Sequence, residues 1–199
     1  MKNSEFKKHV VRLFGKADEW VVQRDICYRS PVDWSVDGVT FENSSADDAV
    51  YVWALHVPLM APLDVMPLTW SERMAVDGRS LLRPDNADFD SAMKIALMKS
   101  KSHSLKQYYR DQSTDLYELE VCAYAQIIED AVDRAAGELR EILAVQVEEP
   151  WEEDILSRAR EIQELLRQGR SAALSRLLDW RSESLSYLQI ERASSITNE

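Results

Sequence analysis

The spacing of apolar residues changes near Pro84. Before it, apolar and polar positions alternate in short runs broken by prolines and polar loops, which is the period of strands with one wet face. From about Asp115 they recur three and four apart, the period of helices with one buried face. The chain opens on a short helical stripe of its own: Phe6, Val10, Leu13 and Phe14 share a face, Asn3 or Ser4 can cap it, and Gly15 suits its end. Trp20, Val22, Ile26 and Tyr28 then alternate with Gln23, Asp25 and Arg29, which predicts one strand over 20–29. Asp37-Gly38, with Trp34 and Val36 before it and Val39 and Phe41 after it, predicts a hairpin turn. The run 50–57 (VYVWALHV) is apolar on both faces and predicts the central, best-buried strand. Pro58, Pro62 and Pro67 bar regular structure from 58 to 67, because proline lacks the N–H donor. Thr69-x-x-Glu72 predicts a capping box for one or two helical turns ending at Asp77-Gly78. After a turn at Arg83-Pro84-Asp85-Asn86, Asp88 or Asp90 caps a short helix carrying Ala92, Met93, Ala96 and Leu97.

The clearest periodicity follows. Val121, Ala125, Ile128, Val132, Ala135, Leu139 and Ile142 are spaced alternately four and three apart and predict one long helix over 115–147. A second stripe, Ile155, Ala159, Ile162 and Leu166, predicts a helix over 151–167. A third, Leu174, Leu178, Leu185 and Leu188, predicts one over 171–190, joined to the second through Gln168-Gly169-Arg170-Ser171. The expected class is α+β. An N-terminal helix and a small antiparallel sheet occupy 1–84, a connecting helix and joint 85–114, an acidic helical bundle or hairpin 115–192, and a frayed tail 193–199.

Charge sharpens the second half. The chain carries a net charge of −11, and the part from 116 onward holds nine basic and eighteen acidic residues, every base after Lys106 being arginine. Such a balance repels nucleic acid and anionic lipid and suits a basic protein partner. Keeping the protein in solution accounts for the same charge without a partner. Cys27 and Cys122 make neither a disulfide framework nor a zinc spacing, so reduced thiols in a cytoplasm are expected. Residues 1–8 are polar and lack a signal-peptide core, and the apolar stretch 50–70 is interrupted by Asp64 and three prolines, so no membrane partner is expected.

Chemistry is sparse. His9, His56 and His103 form no metal-binding frame. Ser91-x-x-Lys94 matches a serine acyl-enzyme spacing, but so does Ser4-x-x-Lys7, and the companion motifs are missing. Asp85, Asp88 and Asp90 lack the glycine and glutamate of a calcium loop and serve better as turn and cap residues. The basic run Lys99–Lys106 lacks glycines to cradle phosphate and reads as a solvated joint. No dinucleotide, phosphate-loop or nucleophile-elbow motif is present, and no cofactor or metal is expected. The order of helix, strands and Pro58-Leu59-x-x-Pro62-Leu63 resembles the layout of small bacterial domains, a likeness of order that implies no activity.

Two constellations remain. Glu148, Glu149, Glu152, Glu153 and Asp154 surround Trp151 and Pro150. Acids and proline in a first helical turn complement the helix dipole. The same residues would make an acidic, aromatic-centred surface for a basic partner. The loop 58–70 reads either as a lid over the core or as a docking ledge of Leu59, Met60, Leu63, Met66 and Trp70. The sequence favours a non-enzymatic interaction module, of the kind of a bacterial immunity or accessory protein with a basic protein partner. Two alternatives stand beside it: a small-ligand or hydrolase-type site at the sheet edge, from Tyr28, Arg29, His56 and Asp64, and a homodimer through the 121–142 seam.

Overall fold

The alternating runs of the first hundred residues close into a five-stranded antiparallel sheet. Its strands are Trp20–Gln23 (β1), Ile26–Arg29 (β2), Ser35–Asn43 (β3), Val50–Pro58 (β4) and Glu72–Arg73 (β5), lying in the order β1-β2-β3-β4-β5. Among the described residues six α-helices accompany it: Asn3–Phe14 (α1), Ala87–Lys99 (α2), Leu116–Ile128 (α3), Val132–Leu143 (α4), Pro150–Gln168 (α5) and Arg170–Tyr187 (α6). The class is α+β. The computed structural model describes residues 1–15, 19–45, 48–63, 68–100, 105–108 and 115–190. Asp64, Met66, His103 and the tail 193–199 lie outside the described residues. The chain divides into two compact units: Met1–Val57, Asp64–Ser102 and Leu188–Ser195 form the first, and Pro58–Leu63, His103–Tyr187 and Ile196–Glu199 the second.

In the first unit, one sheet face packs on the two helices. Cys27, Val39, Phe41, Val50, Val52 and Ala54 meet Phe6 and Val10 of α1 and Phe89, Ala92, Met93 and Ala96 of α2. Each large side chain so removed from water contributes about 2 kcal/mol. Lys2 precedes α1, and the Glu5 carboxylate accepts from the Lys2 N–H at 2.9 Å, so neither Asn3 nor Ser4 is the cap. Asn86, rather than Asp88 or Asp90, caps α2, accepting from the Asp88 N–H at 3.2 Å.

The single strand expected over 20–29 is a hairpin, turning at Arg24-Asp25 with Arg24 at φ 55° and Gln23 paired with Ile26. The turn reverses the alternation. Trp20 and Val22 share the helix-packed face with Cys27, while Ile26 and Tyr28 belong to the opposite face. Conversely, the hairpin expected at Asp37-Gly38 is uninterrupted strand. Gly38 is there for space: a Cβ on it would lie 2.1 Å from the Cys27 carbonyl oxygen of β2. The run 50–57 becomes β4, buried as expected, although β3 holds the middle of the sheet. The capping box expected at Thr69–Glu72 does not form. Glu72 pairs with Ala54 on β4, whose free edge offers backbone partners to the chain sooner than a new helix would.

In the second unit, the long helix expected over 115–147 is two helices. α3 ends in a Schellman motif: Ala131 N–H donates to Gln126 C=O at 2.7 Å and Asp130 N–H to Ile127 C=O at 3.2 Å, with Asp130 at φ 63°. No glycine marks the break. Arg170 does what the missing glycine cannot, donating to the Ile127 and Ile128 carbonyls at 2.8 and 2.7 Å and pairing with Asp130 at 3.2 Å. α3 touches α4, α5 and α6, and α5 and α6 form the expected hairpin, joined at Gly169 with φ 133°. Of the seam positions, Val121, Ala125, Ala135, Leu139 and Ile142 are fully buried within the single chain, and Ile128 and Val132, on either side of the break, are half-buried. Leu59 and Met60 are buried, which removes them from any docking ledge. Ser184 donates to the Ala61 carbonyl at 3.0 Å and ties the 58–63 segment to α6.

Candidate functional site

The sheet unit holds one buried acid–imidazole pair. Asp37, on β3, and His56, on β4, meet through Oδ1 and Nδ1, and both side chains are less than a tenth exposed. Ser35 donates to the other Asp37 oxygen at 3.0 Å. The Ser71 hydroxyl accepts from the His56 backbone N–H at 3.0 Å and returns a bond to its carbonyl at 3.4 Å. Serine, histidine and aspartate are thus adjacent, but the hydroxyl is held at the histidine backbone. An acyl-transfer relay needs it at the ring nitrogen opposite the carboxylate. This arrangement anchors β3, β4 and the approach to β5 to one another.

The sheet-edge constellation is not assembled as expected. Tyr28 is buried, and its hydroxyl donates to Gln23 at 3.5 Å. Arg29 pairs with Glu19 at 3.1 Å on the surface. Both belong to β2, with β3 between them and the β4 residue His56. Asp64 lies outside the described residues. The partner that His56 does find, Asp37, belongs to the Asp-Gly pair whose pattern predicts a turn.

The acidic constellation sits where α4 gives way to α5. Residues 144–151 are all exposed, and so are Glu153 and Asp154. Within this stretch Val145, Val147 and Trp151 are 36%, 37% and 50% exposed, three of the four large apolar side chains that the second unit leaves open to solvent among the described residues. The five carboxylates do different work. Glu152 closes the first turn of α5, accepting from the Glu148 and Glu149 N–H groups at 2.6 and 2.9 Å; these bonds hold its carboxyl below the usual range. Glu153 pairs with Arg160 at 2.9 Å. Pro150 opens the helix at its first position.

A third cluster was not legible as a site. Glu120, on α3, is fully buried. Arg158 of α5 grips it with two bonds, Nε to Oε1 at 2.6 Å and Nη2 to Oε2 at 2.9 Å, and Tyr124 adds its hydroxyl at 3.0 Å. Burial pushes the Glu120 carboxyl up, while Arg158 and Tyr124 pull it down. All three bonds donate to the carboxylate oxygens, the pattern of an ionised group. No sequence signal singles it out: 116–128 is apolar nearly all round, yet its other acid, Glu118, stays half-buried while Glu120 is enclosed.

Among the described residues no group of three or more metal-type donors converges, and no helix is long and apolar enough to cross a membrane. Comparison with protein-family models, with curated proteins and with solved structures finds no match.

Proposed function

We propose that the exposed stretch from Val145 to Asp154 is a docking surface for a basic protein segment, and that the chain acts as an interaction protein. The observation that supports it is the combination at one turn of three water-exposed apolar side chains, Val145, Val147 and Trp151, with the carboxylates of Glu148, Glu149, Glu153 and Asp154. A half-exposed tryptophan inside an acidic rim is the composition of an interface anchor. Lysine or arginine on a partner would find carboxylates around an apolar centre, and the opposed potentials would steer its approach. Glu152 is excluded from the contacting set because its carboxylate is committed to the helix start.

The test is capture from the native host with the full chain as bait. A basic protein should be retained by the wild type and lost with Trp151→Ala, and again with Glu148→Lys combined with Glu153→Lys. A tenfold or greater loss of affinity is expected for Trp151→Ala, the range of a truncated anchor. Equal retention by both variants, with their folds intact by circular dichroism, would remove this surface from consideration.

A further inference from the structure

The sheet unit contains a cleft of about 390 Å³ between the first half of α1 and the turn that leads into α2, lined by Met1, whose ammonium donates to Asn43, and by Glu5, His9, Asp48, Arg83, Pro84 and Asp85. Its chemistry is of both signs. Asp48, Arg83 and Asp85 make no side-chain hydrogen bond or ion pair among the described residues. Arg83 and Asp85 are two residues apart but unpaired. They flank Pro84 in a turn closed by the Asn86 N–H to Arg83 C=O bond of 3.0 Å, which fixes the backbone they project from. His9 stands with its ring edge against Phe89, 4.9 Å between centroids. Its Nδ1 lies 2.8 Å from Arg12 Nη2, and that guanidinium itself pairs with Asp90. Asp90 Oδ1 also lies 3.6 Å from His9 Nδ1, so His9, Arg12 and Asp90 form one cluster.

We propose that this cleft binds a small zwitterion of amino-acid to dipeptide size, with Arg83 receiving its carboxylate and Asp48 and Asp85 its ammonium. The volume falls at the small end of ligand clefts. A singly charged molecule would meet the opposite charges of the cleft unsatisfied, whereas a zwitterion matches both at once.

The probe is diglycine, titrated into the ¹⁵N-labelled full chain and followed by amide chemical shifts. Two controls are N-acetyl-diglycine, which lacks the ammonium, and diglycine amide, which lacks the carboxylate. Saturable shifts are expected at Glu5, His9, Asp48 and Asp85 with diglycine. Binding should weaken at least tenfold for either control, and at least tenfold again for diglycine with Arg83→Gln or Asp85→Asn. These two side chains have no partners among the described residues, so both variants should keep the wild-type spectrum elsewhere. Absence of saturable shifts with diglycine, equal affinity for the capped probes, or unchanged affinity in both variants would each overturn the proposal. No docking residue of the second unit enters this test.

Discussion

Glu120 shows how much one side chain can demand. It is fully buried and is tolerated because Arg158 and Tyr124 satisfy both of its oxygens. Removing only its charge strands the Arg158 guanidinium, so Glu120→Gln should destabilise the protein by about 3 kcal/mol in urea unfolding. The double variant Glu120→Leu with Arg158→Leu should recover most of that loss, because the desolvation cost of both charges disappears together. A double variant no more stable than the single would show that the pair contributes by packing alone. Cys27 makes the contrasting case: burial pushes its thiol up to about 12, which leaves it an inert core residue. Neither assignment could be made from residue type. Glu120 looks like any other acid of the second half until α3 is known to be enclosed.

At the scale of elements, the acids around Trp151 divide into Glu152, which builds the helix start, Glu153, which pairs with Arg160, and exposed acids such as Glu148 and Asp154. Glu152 is held by two backbone donors, and its lowered pKa makes a stability contribution with a definite sign. It is present above the unfolded carboxyl pKa and is lost as pH falls through the folded value. Glu152→Gln should therefore lower the melting temperature at neutral pH, and its gap from the wild type should close as the pH is taken down through the acid range. A gap independent of pH would remove the carboxylate from that role. The break between α3 and α4 belongs to the same scale. Periodicity runs straight through it, because Asp130 and Ala131 carry no breaker signal. The turn exists because Arg170, about forty residues later, covers the freed carbonyls. The hairpin at Arg24-Asp25 was hidden for a related reason: alternation alone does not reveal where a two-residue turn reverses the face.

At the scale of the whole molecule, charge is the property with the longest reach. Eighteen acids against nine bases from residue 116 onward give a field that acts before contact, while Val145, Val147 and Trp151 act only at contact. The two should separate kinetically. Raising salt from about 0.05 M to about 0.5 M, which shortens the Debye length several-fold, should slow association with the captured basic partner. Trp151→Ala should mainly speed dissociation. An association rate indifferent to salt would mean that the acids do not steer the encounter.

By itself the sequence determined the α+β class, the positions of α1, α2, α5 and α6, and the acid-ringed tryptophan at the start of α5. These depend on local periodicity, caps and turn residues, each confined to a few neighbouring positions. Only the tertiary structure decided that 20–29 folds back on itself, that Asp37 meets His56, that α3 stops at Ile128, and that Glu120 lies inside with Arg158. Each of those outcomes is set by a group distant in the chain, a facing strand or an arginine from another helix. Local spacing holds no record of which distant group will satisfy a freed carbonyl or a buried charge.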